Sequence, residues 1–155
     1  MEKMPFTREG LEKLKAELQH LERVERPKNI QAISEARGHG DISENAEYHA
    51  AKDRQSFLEG RINELKAAIG KAEVIEIDDA PDGRAVFGRE VLLYNVQTDE
   101  EVVYRLVGHY EADPEEGRIS VNSPLGRAIV GREVGDALQV QTPKGIQEFE
   151  ILEIR

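Results

Sequence analysis

The N-terminal part of the chain has the apolar spacing of a long helix, predicted from Thr7 to about Arg37. Apolar residues recur there every three or four positions, which places them on one stripe of the helix. Thr7 can cap the start, although Gly10 stands where a capping box has Glu. Pro27 removes one backbone donor, so we expect a bend at that position. The stripe consists of Leu11, Leu14, Leu18 and Leu21, and Ile30 and Ile33 continue it.

A second helix is predicted from about Ser43 to Ala72, with the alternating four-three spacing of a coiled-coil seam. Gly38 and Gly40 lie between the two helices, where glycine stops a helix and permits a tight reversal. The two helices are therefore expected to pack antiparallel, and ~30 residues at ~1.5 Å each give an arm of roughly 45 Å. The seam positions are Tyr48, Ala51, Leu58, Ile62, Leu65 and Ile69, interrupted by Gln55.

The second half of the chain is predicted to form a small β-sheet domain. Residues 78–83 have the polar composition of a linker, with one proline and one glycine, and they divide the chain into domains 1–79 and 80–155. Ser123, Pro124 and Gly131 are the expected N-cap, first residue and stop of one short helix. The predicted fold class is α+β, an antiparallel coiled-coil hairpin followed by a sheet with one short helix. Strands are predicted at residues 90–94, 101–107, 118–121, 137–141 and 147–151.

Composition and charge narrow the class of protein. The chain contains no cysteine, which excludes disulfides and thiolate metal sites, and no stretch approaches the ~20 apolar residues of a membrane span. We therefore expect a cytoplasmic protein. Residues 1–79 carry 13 basic and 17 acidic side chains and residues 80–155 carry 8 and 14, so −4 and −6 sum to the net charge of −10. Because both halves are acidic, we expect no independent binding to DNA or RNA, although a larger partner could supply the positive surface.

The reversal between the two helices contains two acids, Asp41 and Glu44, at the far end of the arm. By spacing alone, Asp41-x-x-Glu44 fits a helix-capping box, with Asp41 as the N-cap and Glu44 at the third helical position. His39 and His49 have no cysteine and no third histidine nearby, so a histidine metal site is not expected. Capping and a functional role can coexist in one residue, and both interpretations stay open at this point.

The same segment carries a resemblance to a known family. Residues 40–52 read Gly-Asp-Ile-Ser-Glu-Asn-Ala-Glu-Tyr-His-Ala-Ala-Lys, which closely resembles the GD-x-x-ENAEYHAAK-like tip motif of the bacterial Gre transcript-elongation factors, of the GreA type. Residues 108–113, 119–126 and 134–136 are similar to that family's C-terminal signatures. The resemblance implies that 80–155 has a fold like the FK506-binding proteins (FKBP-like) and docks on bacterial RNA polymerase at the rim of its secondary channel. Ser123 and Pro124 resemble part of the docking loop.

The resemblance also implies a role for the tip. Asp41 and Glu44 match the essential carboxylates, while Arg37 and Lys52, otherwise ordinary solvated helix charges, match basic positions near the RNA 3' end. Mg²⁺ needs near-octahedral oxygen ligands, and phosphodiester cleavage favours two ions flanking the phosphate, so the tip acids would share a polymerase ion. The implied protein has no cofactor of its own and is not an enzyme. It stimulates the polymerase's cleavage of backtracked nascent RNA.

Two other classes of function compete with this interpretation. An inhibitory homologue could occupy the same channel without promoting cleavage, but inhibitory relatives depart from the DxxE motif that this sequence keeps. A peptidyl-prolyl isomerase is suggested by the FKBP-like resemblance, but fold similarity alone does not carry an activity. Such enzymes need an aromatic-lined pocket, and residues 80–155 contain no Trp and only Phe87, Tyr94, Tyr104, Tyr110 and Phe149.

Overall fold

A computed structural model describes residues 3–38, 40, 45–76 and 83–155. The described chain forms two compact units, one from Leu11–Ala72 and the other from Lys3–Gly10 together with Glu73–Arg155. We call the first the arm and the second the C-terminal unit. The predicted boundary between residues 79 and 80 lies outside the described residues.

The arm is a helical hairpin. Helix α1 (Arg8–His20) continues through a π-helical segment (Leu21–Glu25) into α2 (Arg26–Arg37), and α3 (Ala46–Lys71) returns beside α2. The π-helical segment ends two residues before Pro27, the position at which the sequence predicts a bend. Because proline cannot donate to the carbonyl four residues earlier, the chain widens before it, and the Arg26 N–H reaches back five residues to the Leu21 carbonyl.

Buried residues of α2 and α3 form a narrow seam along the arm. In α2 the buried positions are Asn29, Ile33 and Ala36, spaced by four and three residues. The prediction that Ile30 continues the apolar stripe is wrong, because Ile30 is 55% exposed while Asn29 beside it is 4% exposed. One residue along a helix turns by ~100°, so the seam cannot include both neighbours. On α3 the buried positions are Ala51, Leu58, Ile62, Leu65 and Ala68.

Ion pairs connect the two sides of the arm around the π-helical segment. Arg26 binds the Glu59 carboxylate through two nitrogens at 2.9 and 2.7 Å, and Arg54 reaches Glu25 at 2.7 Å. The Arg54 hydrogen bond lowers the pKa of Glu25, and the Arg26 hydrogen bond likewise lowers the pKa of Glu59. These pairs remain partly exposed to solvent, so each contributes little to stability. Glu17 with Arg61 and Glu22 with Lys66 are further pairs of the same kind.

The N-cap of α1, Thr7, is held by a residue distant in the chain. The Thr7 hydroxyl accepts the Gly10 N–H at 3.0 Å, which is the predicted N-cap. In a capping box the side chain at the Gly10 position would accept the Thr7 N–H. Here Glu111 accepts that N–H at 2.9 Å and also bonds the Thr7 hydroxyl. A β-carbon on Gly10 would lie 2.1 Å from the Glu111 carboxyl group, so glycine leaves the room that Glu111 needs.

The C-terminal unit is built on a five-stranded mixed sheet. Its strand order is β5-β4-β3-β7-β6, in which β4 and β5 are parallel and the other neighbours are antiparallel. A separate two-stranded ladder joins β1 (Met4–Phe6) to β2 (Ala72–Val74). The sheet strands are β3 (Glu90–Asn95), β4 (Glu100–Val107), β5 (Arg118–Ser120), β6 (Ala137–Thr142) and β7 (Gly145–Ile154). All five match predicted strands within a few residues, and the α+β class is confirmed.

One short helix, α4 (Pro124–Ile129), packs against β6 and β5. Ser123 is its N-cap and Gly131 follows its end with φ +83°, as the sequence predicts. Ile129 of this helix is fully buried with the inward-facing side chains of the sheet. These are Val91, Leu93, Leu106, Ile119, Leu138, Val140, Phe149 and Ile151.

Among the residues that the structure describes, no helix has the length and apolar character needed to cross a membrane.

Candidate functional site

The tip of the arm lies between the end of α2 and the start of α3. The two acids predicted to act there, Asp41 and Glu44, lie outside the described residues. What the structure describes is the frame around them: Arg37 and Gly38 on one side, Gly40 within the reversal, and the first turn of α3 on the other. Gly40 has φ +116°, a conformation that favours glycine and agrees with a sharp reversal.

The N-cap of α3 is Asn45. Its Oδ1 accepts the Tyr48 N–H at 3.1 Å, and the backbone of Asn45 is extended, as an N-cap requires. Helix α3 therefore begins at Ala46, and the capping box expected from the Asp41-x-x-Glu44 spacing falls outside the described residues.

The sequence alone did not single out Asn45 as a residue that shapes the tip. Besides capping α3, its Nδ2 donates to the Ala36 carbonyl near the end of α2. The only signal in the sequence is an asparagine directly before a helical segment, which is a common N-cap. That signal does not reveal the second hydrogen bond, since the bond depends on how the two helices meet.

Arg37 and Lys52 are exposed basic residues on the arm. The Arg37 guanidinium carbon lies 5.8 Å from the centre of the Tyr48 ring, a cation–π contact. The Lys52 ammonium donates to the neutral Gln55 amide at 2.9 Å, whereas Arg54 nearby binds the Glu25 carboxylate. Neither of these contacts neutralises the positive charge of Arg37 or Lys52, so both side chains can attract an anion.

The described residues offer no metal site of their own. No group of three or more histidine, aspartate or glutamate side chains within them could hold an ion. His49 instead packs edge-on against the Tyr48 ring at 5.7 Å, and His39 lies outside the described residues.

Ser123 and Pro124, the predicted docking residues, form a tight loop at the start of α4. The Ser123 hydroxyl donates to the Ser120 carbonyl at 2.6 Å and accepts the Gly126 N–H at 3.0 Å. A β-carbon on Gly126 would lie 2.0 Å from the Ser120 carbonyl oxygen, so this close approach requires glycine. Pro124 is exposed on the outside of this rigid loop.

A mostly apolar groove of about 420 Å³ adjoins this loop. Arg127 and Asn122 give it two polar groups, and its apolar residues include Val130, which is 43% exposed. Exposed apolar surface with a few polar groups is typical of a protein-binding site. The remaining lining residues are Pro5, Ile75, Phe87 and Val121.

Comparison with known proteins identifies the class. A model of the transcription elongation factor N-terminal region matches residues 4–74, and a model of the GreA/GreB transcription elongation factor C-terminal region matches residues 80–155. Together they cover both the arm and the sheet. The chain therefore belongs to the GreA/GreB family of transcription elongation factors, and the resemblance noted in the sequence is confirmed.

Individual relatives match over their full length. Transcription elongation factor GreA of Syntrophobacter fumaroxidans is 55% identical over 155 residues, covering 100% of this chain and 99% of the relative. GreA of Haemophilus influenzae is 49% identical, covering 99% of this chain and 98% of the relative. Among solved structures, the GreA factor homolog 1 (Gfh1) protein of Thermus thermophilus is 27% identical with a TM-score of 0.45, covering 99% of both chains.

Proposed function

We propose that this elongation factor binds bacterial RNA polymerase at the rim of the secondary channel and stimulates cleavage of the 3' end of backtracked RNA. The observation that carries the proposal is the DxxE motif, placed by the sequence between α2 and α3 in a chain that belongs to the GreA/GreB family. Cleavage rescues arrested complexes because it leaves a new 3' end in the active site. The factor would act in the cytoplasm.

The proposal divides the work between two parts of the chain. Residues 80–155 dock on the polymerase through Ser123 and Pro124, supported by the rigid loop and the adjoining apolar groove. The arm within residues 1–79 carries the tip acids. Helix α3 has 26 residues, which corresponds to a length of ~39 Å. An arm of this kind can reach into a channel while its base stays outside.

The tip acids fit an ion that is shared with the polymerase. Carboxylates are the oxygen ligands that Mg²⁺ prefers, but Asp41 and Glu44 supply fewer ligands than its octahedral shell needs. When bound, Mg²⁺ neutralises charge on a reacting phosphate and lowers the pKa of an attacking water. Asp41 and Glu44 would hold this ion directly or through water. The chain itself is then an accessory factor and not an enzyme.

The basic side chains near the tip complete the proposed site. Arg37 and Lys52 would contact the phosphate backbone near the RNA 3' end and hold it beside the tip acids. The acidic net charge of the chain, −10, opposes unaided binding to RNA, so these contacts form only inside the complex with polymerase.

A stalled, backtracked polymerase complex tests the proposal. Adding the protein should shorten the RNA, and the shortened RNA should be extended again when nucleotides are supplied. The proposal would be overturned if the protein slowed nucleotide addition and left the RNA length unchanged, which is the behaviour of an inhibitory homologue.

A further inference from the structure

Asn45 connects the two helices at the point where the tip begins. The last carbonyls of α2 have no hydrogen-bond partner within their helix, and the first N–H groups of α3 have none within theirs. The carboxamide of Asn45 serves one of each, because its Nδ2 donates to the Ala36 carbonyl and its Oδ1 accepts the Tyr48 N–H at 3.1 Å. The Asn45 backbone is held as well, since its carbonyl accepts the His49 N–H at 3.1 Å.

The chemistry of the amide explains why asparagine stands at this position. Asp, Ser and Asn are about equally good N-caps, so capping alone does not select among them. An ionised aspartate has no donor for the Ala36 carbonyl, and serine is shorter by one atom. Asparagine combines a donor and an acceptor at the required reach.

A second contact holds the same two helix ends together. The Arg37 guanidinium, at the last residue of α2, lies over the ring of Tyr48 in the first turn of α3 at 5.8 Å. The Tyr48 ring therefore contacts α2, and the Tyr48 backbone N–H donates to Asn45. The ends of the segment between Arg37 and Ala46 are fixed to each other by two independent contacts.

We propose that Asn45 is a positioning residue for the tip carboxylates, an inference that rests on the proposed function. Asp41 and Glu44 lie within this segment, and Glu44 directly precedes Asn45 in the chain. Fixing both ends of a short segment reduces the conformations that it can adopt, so less freedom is lost when its acids bind a shared ion. The Asn45 carboxamide is engaged by Ala36 and Tyr48, so in this proposal it acts through the acids.

Asn45→Asp separates this role from capping. The variant keeps an acceptor for the Tyr48 N–H, so α3 should start normally. It loses the donor to Ala36 and places a negative charge against the end of α2, where the helix dipole is already negative. Asn45→Ala removes both bonds and serves as the stronger variant. Ile33→Val is the matched control, because it weakens the same helix pair by one buried methylene group and leaves Asn45 in place.

The first measurement is the Mg²⁺ concentration that gives half-maximal stimulated cleavage by backtracked polymerase, at saturating factor. Asn45→Asp should raise this concentration about three- to tenfold, the factor that one hydrogen bond contributes. Ile33→Val should leave it unchanged. Saturating Mg²⁺ should largely restore cleavage by Asn45→Asp, which a loss of polymerase binding would not allow.

The second measurement needs no activity. Spin labels on the exposed residues Ser34 and Ala50 report the distance between the two helix ends in the free protein. Asn45→Asp should broaden the distance distribution, whereas Ile33→Val should not. A distribution as narrow as that of the unsubstituted protein would overturn the inference.

The outcomes distinguish this inference from the proposed function. If the unsubstituted protein stimulates cleavage and Asn45→Asp has the same Mg²⁺ dependence as Ile33→Val, only the positioning role is wrong. If the unsubstituted protein stimulates no cleavage, the proposed function is wrong and the positioning role falls with it.

Discussion

The arm and the C-terminal unit are stabilised in different ways. In the C-terminal unit the side chains of Val91, Leu93, Leu106, Ile129 and Ile151 are completely buried and share one core. In the arm, complete burial is found for Ile62 and Leu65, both in the half far from the tip. Between Asn29 and the tip, the buried residues of the seam are small or polar, namely Ala36, Ala51 and Asn29 itself, apart from Ile33.

This difference places the proposed chemistry on the less strongly packed region. A narrow seam buries little apolar area, so the tip half of the arm must depend on directional contacts such as the Asn45 bridge and the Arg37–Tyr48 contact. The proposed docking loop at Ser123 and Pro124, in contrast, leads into α4, whose Ile129 belongs to the continuous core of the sheet. If the proposed division of work is right, a change in one region should alter docking or cleavage separately, and the following predictions test that separation.

The largest effect is expected from Asp41→Asn combined with Glu44→Gln. The substitutions keep side-chain shape and remove the two charges that would attract the shared ion, so stimulated cleavage should fall by at least ~100-fold. Polymerase affinity and helix content should persist, because the proposed docking loop lies in the other unit and Asn45 caps α3. Gel analysis of the RNA and circular dichroism measure both. Near-normal cleavage would refute the shared-ion proposal.

The reciprocal change is Ser123→Ala in the docking loop. It removes the hydrogen bonds to Ser120 and Gly126, and loss of an N-cap costs ~1 kcal/mol, so polymerase affinity should fall by about five- to tenfold. Cleavage at saturating factor should stay unchanged. Ser123→Thr keeps the hydroxyl and is the control. A lowered maximal cleavage rate with normal affinity would contradict the division between docking and chemistry.

Glu111→Ala tests the capping of α1. Thr7 is 4% exposed, so losing the carboxylate leaves its N–H buried without an acceptor, and the free energy of unfolding should fall by about 1 kcal/mol or more. Glu111→Gln retains an acceptor and should lose less. Urea denaturation of both variants gives the comparison, and equal stability of Glu111→Ala and the unsubstituted protein would show that the capping contact is unimportant.

Asn29→Leu should stabilise the arm. The buried Asn29 Oδ1 has no hydrogen-bond partner among the described residues, and replacing such a group by an apolar side chain of similar volume should raise stability by about 1 kcal/mol. A buried asparagine in a coiled coil favours one register at a cost in stability. Hydrogen exchange of amides in α2 should slow. Faster exchange would indicate that Asn29 is satisfied in solution.

The smallest effect concerns pH. Hydrogen bonds from Arg54 and Arg26 lower the pKa values of Glu25 and Glu59 below the ordinary carboxyl value. Their contribution to stability is therefore present above the ordinary value and is lost as the pH falls through the lowered values. Because both pairs are partly exposed to solvent, the loss should be small and should diminish in high salt. Thermal unfolding of Glu59→Gln, compared with the unsubstituted protein from pH 6 to acidic pH, measures it.

Local patterns in the sequence were sufficient for the elements and their order. Helical spacing predicted the hairpin, and alternating strands predicted the sheet. Ser123, Pro124 and Gly131 predicted α4, because capping, the fixed φ of proline and glycine's freedom at φ +83° act within a few residues. The tip motif was recognisable because its residues are contiguous, and it led to the family that the comparisons confirm.

Tertiary structure decided where the seam lies and what closes each helix end. Asn29 takes the place of Ile30 in the seam because burial depends on which side of α2 packs against α3. The apolar stripe of one helix does not specify that side. The Asn45 bridge joins residues nine apart, and the partner of Thr7 is Glu111, 104 residues away. A buried polar group accepts whichever partner the packed chain brings to it, so such contacts depend on the whole fold and not on local sequence.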